Sequence, residues 1–191
     1  MRRYGDKKMN SRTTLLISAS MGLAFSCLTV TALRAHAESG FTLMSAAFTS
    51  GAAIPVDNSC SGANASPPLT WSGAPAATKS FALIVQDPDA PHGNFTHWVA
   101  FDIPASATSL AANVPHTDEL AGGGQQGMNS AAKIGYMGPC PPPGKVHHYH
   151  FTLYALNSTI NLPKGASLKA VRSAMESHII GNAELIGTFS K

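Results

Sequence analysis

The chain has 191 residues, with 13 lysines and arginines against 10 aspartates and glutamates, a formal net charge of +3. The positive excess lies in the first 37 residues, because residues 38–191 hold seven basic and nine acidic side chains, a net charge of −2. Without a basic stripe that could neutralise a phosphate backbone, this part of the chain is not expected to bind nucleic acid. Its length is sufficient for one domain with its own core.

Residues 1–37 show the order of features that is typical of a cleaved secretory signal peptide. Basic residues open the segment, a mostly apolar stretch follows, and Ala35–Ala37 places small residues at the cleavage site. Serines, glycines and threonines interrupt the apolar stretch, which disfavours a retained membrane anchor. A lipid attached at Cys27 is disfavoured because the bulky Phe25 lies where such sites have a small residue. We predict a periplasmic or secreted protein whose working domain is residues 38–191.

Cleavage would leave two cysteines in the mature chain, Cys60 and Cys140. An oxidising compartment favours a disulfide between them, and two free buried thiols are the alternative. For an exported protein we predict the disulfide.

Strand patterns separated by proline and glycine clusters dominate the mature chain. Residues 81–85 form a short apolar run, as in a strand that is buried on both faces, and residues 96–103 form another. In residues 148–156 large apolar side chains alternate with polar ones, which is typical of a half-buried strand. Shorter candidate strands cover residues 41–44, 69–71, 109–114 and 184–189.

One helix is predicted late in the chain. Ser167 can cap it, Leu168, Val171, Met175 and Ile179 share one face, and it should end near residue 181. Many strands with one late helix predict an antiparallel β-sandwich that carries a small helical appendage. Residues 116–133 are expected to form a long loop, which in a compact domain is often functional.

A carboxylate and an imidazole lie at the ends of two neighbouring predicted strands. Asp87 opens the segment 87–91 directly after the run 81–85, and His97 lies near the start of the next strand. The segment can be a simple turn, because aspartate and proline both favour turns. It can also bring Asp87 beside His97, an arrangement that suits ligand binding or acid–base chemistry.

Three histidines, His147, His148 and His150, open the third strand pattern. Strand alternation places His147 and Tyr149 on one side and the other two histidines on the opposite side. His148 and His150 could hold a metal, although no third ligand is evident. His147 and Tyr149, next to a glycine- and proline-rich loop, favour an anion pocket. The sequence contains no Gly-x-Ser-x-Gly motif, which disfavours a hydrolase.

Several motifs together resemble the phosphatidylethanolamine-binding protein family, most closely its bacterial branch, which is often labelled Raf-kinase-inhibitor-like. The resemblance covers residues 41–189. The motifs are Asp87-Pro-Asp-Ala-Pro91, His97-Trp98-Val99, Gly135-Tyr136-x-Gly138-Pro139-Cys140-Pro141-Pro142, His147-x-Tyr149, Cys60-x-Gly62-x-Asn64-x-Ser66-Pro67-Pro68-Leu69-x-Trp71 and Ala183–Thr188.

The resemblance implies a Greek-key β-sandwich of two antiparallel sheets, with a small pocket at one end that binds phosphate-like anions and phosphorylated head groups. Asp89 and Pro91 are then expected to brace the pocket loop, and the disulfide is expected near the pocket rim. The ligand-binding positions that the resemblance implies are Asp87, Phe95, His97, Gly138, Pro139, Pro141, Pro142, His147 and Tyr149.

The chain departs from the family pattern at three places. His148 stands where relatives usually have arginine, which puts a structural ion pair in doubt or makes it sensitive to pH. The segment 129–132 reads Asn-Ser-Ala-Ala in place of the usual Asn-Asp-Phe-Gly, and Asp102 replaces a common asparagine. None of these positions belongs to the implied pocket.

These observations favour an exported, non-catalytic binding protein for small anionic or phosphorylated ligands, with no cofactor and no metal. Peripheral contact with lipid head groups and a homodimer are further partner expectations. A second interpretation is an inhibitor or regulator of another protein, such as a protease or kinase-like target, although an exported protein would not meet cytoplasmic kinases. The third is a metal-dependent or hydrolytic enzyme that uses His148, His150 and the rim formed by Asp87 and His97.

Overall fold

A five-stranded antiparallel sheet forms the centre of the computed structural model, which describes residues 40–191. The predicted signal peptide therefore lies outside the described residues. One-turn 3-10 helices cover Val56–Asn58 and Glu176–His178. In chain order the other elements are β1 (Thr42–Met44), β2 (Leu69–Ser72), β3 (Ser80–Asp87), β4 (Phe95–Pro104), β5 (Ser109–Leu110), β6 (Gln125–Gln126), β7 (His147–Leu156), α1 (Leu168–Met175) and β8 (Ile179–Phe189).

The strands form two antiparallel sheets. The larger sheet has the order β6-β4-β3-β7-β8, and the smaller has the order β1-β2-β5. The predicted fold, mainly β with two antiparallel sheets and one small late helix, is confirmed. Within the described residues, no helix combines the length and the apolar character that crossing a bilayer requires.

Strand β3 is buried on both faces because each face packs against a different layer. Phe81 packs against Trp71 of the smaller sheet, with ring centroids 5.5 Å apart. Ile84 on the other face belongs to a cluster that includes Val171 and Met175 of α1, both buried. The two packed faces explain why the run 81–85 is apolar throughout, as the sequence predicted. They also hold the end of β3, where Asp87 lies, in a fixed position.

The helix α1 is shorter than predicted. The Ser167 cap is confirmed, since its hydroxyl accepts a hydrogen bond from the Ala170 amide at 3.3 Å. The helix ends at Met175, so the prediction that Ile179 shares a helix face with Val171 and Met175 is wrong. Ile179 instead opens β8 and pairs with Leu156 of β7. The long ladder between β7 and β8 outweighs one further turn of helix, because propensity is a weak preference.

Two further sequence predictions need correction. Of the candidate strand 109–114, only the two residues of β5 form a strand. The predicted loop 116–133 contains the short strand β6. Gln126 of β6 is fully buried, and its side chain accepts from the Trp98 indole and donates to two loop carbonyls. This buried amide holds the segment in place, and a polar residue in a glycine-rich stretch gave no sequence signal for it.

Ala132 has a left-handed backbone with a φ of +57°. This conformation raises the free energy of a residue with a β-carbon by roughly 1–2 kcal/mol, whereas glycine adopts it without this cost. We expect Ala132→Gly to raise the free energy of unfolding by about 0.5–1 kcal/mol after the entropic cost of glycine is subtracted. Urea unfolding measures the change.

Ala131→Gly is the matched control, because Ala131 is the chain neighbour of Ala132 and is not among the residues with positive φ. Its substitution adds freedom to the unfolded chain without relieving strain, so it should lower stability. Equal effects of the two substitutions would contradict the explanation from backbone strain.

Candidate functional site

A cavity of about 140 Å³ lies where the end of β3 meets the first residues of β4 and β7. β3 pairs antiparallel with both β4 and β7, so the last residues of β3 and the first residues of β4 and β7 lie at the same end of the sheet. A loop from residues 137–142 closes the remaining side. The lining residues are Asp87, Ala90, Pro91, Phe95, His97, Met137, Cys140, Pro141, Pro142 and His147.

A buried imidazole–carboxylate pair forms one wall of the cavity. The Nδ1 of His147 lies 2.8 Å from Oδ2 of Asp87, and the two side chains are 2% and 5% exposed. The other oxygen of Asp87 accepts a hydrogen bond from the Asp89 amide at 2.8 Å. A buried carboxylate requires such partners, and an acceptor at Nδ1 fixes the imidazole orientation. The Nε2 of His147 is therefore the ring nitrogen that remains for a ligand.

The second imidazole of the cavity, His97, is held through the same ring atom. Its Nδ1 lies 2.7 Å from the Met137 carbonyl oxygen, which can only accept, so Nδ1 carries the proton. The ring packs between Phe95 and Tyr149, with centroids 4.8 and 5.1 Å away. Burial lowers the pKa of His97, against opposing contributions from the Met137 carbonyl and the Asp87 carboxylate. At neutral pH the ring is uncharged, and its Nε2 is a hydrogen-bond acceptor.

The lowered pKa of His97 predicts a dependence of stability on pH. The unfolded chain binds a proton at this residue near its ordinary pKa of 6.5, and the folded protein does so only at lower pH. The stability that this group contributes is therefore complete above about pH 6.5 and decreases as the pH falls toward the folded pKa. We expect wild-type protein to lose more unfolding free energy between about pH 7.5 and about pH 5.5 than a His97→Asn variant.

Urea unfolding of both proteins at the two pH values measures this difference. The asparagine amide can still donate to the Met137 carbonyl, and both proteins keep the neighbouring Asp87, His147 and Tyr149. The comparison therefore isolates the His97 imidazole. Equal losses in the two proteins would contradict the prediction.

Three of the predicted ligand-binding residues lie behind the cavity wall. Tyr149 is 1% exposed, and its hydroxyl has no hydrogen-bond partner among the described residues. Burial, followed by the nearby Asp87 carboxylate, raises its pKa well above the usual range. The Gly138 amide donates to Asn64 Oδ1 at 2.7 Å, and the Pro139 carbonyl accepts from the Cys60 amide at 3.0 Å. These two loop residues shape the wall without being among its lining residues.

The predicted disulfide between Cys60 and Cys140 is present in the structure and spans 80 residues of sequence. Cys140 lines the cavity, so the disulfide ties the proline-rich wall to the loop that follows the first 3-10 helix. The Lys191 ammonium lies 3.6 Å from Cys140 Sγ. The sequence motifs had indicated a disulfide near the rim, and it forms part of the wall.

Asp89 and His148 form a partly exposed pair beside the cavity. Asp89 Oδ2 accepts from both the backbone amide and the Nδ1 of His148, each at 2.8 Å. This hydrogen bonding lowers the pKa of Asp89. The contact that the sequence put in doubt, because relatives usually have arginine at this position, is made by an imidazole, and it ties Asp89 to the start of β7. That this contact braces the pocket loop stays a prediction.

The two histidines of the metal interpretation bind different carboxylates. His148 contacts Asp89, whereas His150 contacts Glu184 at 2.9 Å. Across residues 40–191 the structure shows no group of three or more histidine, cysteine, aspartate or glutamate side chains that could hold a metal ion.

Met137 was missed by the sequence reasoning. It lines the cavity, and its backbone makes two hydrogen bonds to His97, accepting from the ring and donating to the carbonyl at 2.9 Å. Its side-chain type carries no signal for such a role, because the contacts are made by the backbone. Its position between Tyr136 and Gly138, inside a motif, was the only available hint.

A family model described as phosphatidylethanolamine-binding protein matches residues 44–190. The chain belongs to this family. A relative from Methanothermobacter thermautotrophicus, named UPF0098 protein, is 49% identical over 145 residues, covering 76% of this chain and 95% of its own length. A Mycobacterium tuberculosis relative, provisionally named lipoprotein LppC, is 43% identical over 157 residues, covering 81% of this chain and 75% of its own.

Two solved structures of phosphatidylethanolamine-binding protein homologues share the fold. CT736 from Chlamydia trachomatis superposes with a TM-score of 0.73 at 37% identity, covering 80% of this chain and 99% of its own. Escherichia coli YbcL superposes with the same TM-score at 34% identity and with the same coverage. The family resemblance that the sequence motifs carried is therefore confirmed, together with the fold it implied.

Proposed function

We propose that this member of the phosphatidylethanolamine-binding protein family binds small phosphorylated or anionic ligands in the cavity of about 140 Å³ and does not transform them. The observation that carries the proposal is the buried pair of His147 and Asp87 beside a second fixed imidazole, His97. Both rings are held through Nδ1, so both Nε2 atoms remain for a ligand.

The His147 side chain is the anion-binding group of this proposal. When His147 takes up a proton at Nε2, its imidazolium can donate to a phosphate oxygen while Asp87 balances its charge. The pair is almost fully buried, so this hydrogen bond would form away from competing water.

A phospholipid head group carries an ammonium as well as a phosphate, and the cavity offers contacts for both. The His97 Nε2 can accept a hydrogen bond from an ammonium, and the Phe95 ring offers an aromatic face for a cation. Asp87 adds negative charge at the same wall. Together these groups suit a ligand that carries both a phosphate and an ammonium better than a ligand that carries a positive charge alone.

The test is a titration of the folded protein with inorganic phosphate and with phosphoethanolamine, followed by NMR shifts of the cavity residues. We expect saturable shifts of His97 and His147, with phosphoethanolamine binding more tightly because it makes the additional ammonium contacts. If neither ligand perturbs these residues, the cavity is not a phosphate site. A product peak in the phosphoethanolamine sample would contradict the non-catalytic part of the proposal.

We further propose that the chain is exported and that residues 1–37 are removed, leaving residues 38–191 as the mature domain. Support comes from the disulfide, which oxidising compartments favour, and from the relative provisionally named a lipoprotein. Mass spectrometry of protein recovered from the periplasm or medium should give a chain that begins at Glu38. A mass that includes residues 1–37, or a lipid on Cys27, would contradict this processing.

A further inference from the structure

A second cavity, of about 280 Å³, shares part of its wall with the first. Met137 lines both cavities, and the disulfide contributes one residue to each, Cys140 to the first and Cys60 to the second. The second cavity is thus adjacent to the first but has its own set of side chains. None of the residues that line it is acidic.

Three hydrogen-bond donors in this cavity have no partner among residues 40–191. Lys133 has no carboxylate within ion-pairing distance in the part of the chain that the structure describes. Within the part of the chain that the structure describes, the His116 ring makes no hydrogen bond, and the Asn64 side chain uses only its oxygen, which accepts from the Gly138 amide. The Asn64 NH2 group therefore remains available. A cation, an imidazole and an amide donor around one concave space form an environment suited to an anion.

The loop that carries Lys133 is held in a defined conformation. Asn129 is 6% exposed, and its Oδ1 accepts from the amides of Ala131 and Lys133 at 3.0 and 3.1 Å. Its Nδ2 donates to the Gly135 carbonyl at 3.2 Å. The backbone around the cavity is strained as well, with φ of +56° at Asn64 and +57° at Ala132. Strained residues persist where surrounding contacts hold them, and a preorganised loop loses less entropy on binding a ligand.

We propose that this second cavity is a separate oxyanion site for phosphate groups, formed by Lys133, His116 and Asn64. The three donors belong to separate side chains on different loops, which suits a tetrahedral anion with several oxygens. A planar carboxylate is best matched by the two-pronged guanidinium of arginine, and no arginine lines this cavity. The proposal does not depend on ligand binding in the first cavity.

The experiment is an NMR titration of the full mature domain with inorganic phosphate at constant ionic strength. We expect saturable shifts at the His116 ring and at the Lys133 and Gly135 amides, and we expect them to persist in a His147→Asn variant. Lys133→Met keeps the aliphatic stem and removes the charge, and it should weaken the affinity reported by these shifts at least tenfold. The matched control is Lys79→Met, an exposed lysine that lines neither cavity, which should leave the affinity unchanged.

Acetate is titrated in parallel to test the ligand class. We expect it to bind at least tenfold more weakly than phosphate, because it offers fewer oxygens to the three donors. An affinity equal to that of phosphate would overturn the assignment to phosphate groups. Absence of saturable shifts at His116 and Lys133, or an unchanged affinity in Lys133→Met, would overturn the site itself. Because Lys133 is exposed, the variant should keep the dispersed spectrum of the folded protein.

Discussion

Replacing His147 by asparagine should weaken phosphate binding in the first cavity by roughly tenfold to a hundredfold, the value of one hydrogen bond to a charged group. The asparagine amide can still donate to Asp87, so the buried carboxylate keeps a partner and the fold is preserved. The variant lacks the Nε2 atom of His147, which we propose contacts the ligand. Calorimetric titration with phosphoethanolamine measures the change in affinity.

His148→Asn is the matched control for this prediction. It is the next residue of the same strand, its ring also contacts an aspartate through Nδ1, and it lies on the opposite, exposed face of β7. The backbone amide of residue 148 still donates to Asp89 in this variant, so the loop beside the cavity stays attached to β7 and we expect the affinity for phosphoethanolamine to equal that of the wild type. Equal losses in the two variants, or none in His147→Asn, would show that Nε2 of His147 does not contact the ligand.

Removal of the disulfide should lower the free energy of unfolding by about 4 kcal/mol, because the link closes a long loop in the unfolded chain. The linked residues are 80 apart in sequence. With an m-value near 2 kcal/mol/M, this corresponds to a fall of roughly 2 M in the urea midpoint. Urea unfolding of wild-type protein with and without dithiothreitol measures it.

A Cys60→Ser/Cys140→Ser variant provides the control. It should unfold at the midpoint of the reduced wild type and should not respond to dithiothreitol. Since Cys140 lines the first cavity, the variant should also bind phosphoethanolamine more weakly, because the proline-rich wall loses one of its attachments. Coincident midpoints for oxidised and reduced wild type would contradict the stabilising role of the disulfide.

The sequence was most informative about the strands that surround the first cavity. The apolar run 81–85 predicted the doubly buried β3, and alternation after residue 147 correctly assigned the faces of β7. Candidate residues for the cavity were found because Asp87, His97 and His147 are polar side chains at strand ends. Their positions relative to the strands could therefore be predicted from local pattern alone.

The contacts within the site could not be predicted from the sequence. The alternation of apolar and polar residues does not specify the register between β3 and β7. The sequence therefore could not show that the partner of His147 is Asp87. The role of Met137 depends on its backbone, which every residue possesses. Beside the second cavity, Asn64 and Ala132 have left-handed backbones; asparagine only favours this conformation, and an alanine gives no sign of it. Tertiary contacts decide each of these features.

The hydrogen bond between His97 and Met137 also bears on which oxyanions the first cavity can distinguish. With its proton committed to the carbonyl oxygen, the neutral ring offers a lone pair at Nε2. Inorganic phosphate brings no ammonium to this atom, but near neutral pH each phosphate ion still carries at least one proton and can donate it to the lone pair, whereas sulfate is fully ionised and has none. A sulfate oxygen at the same place would face another acceptor, with no hydrogen between them. One backbone carbonyl would thus make the cavity selective between two anions of similar shape.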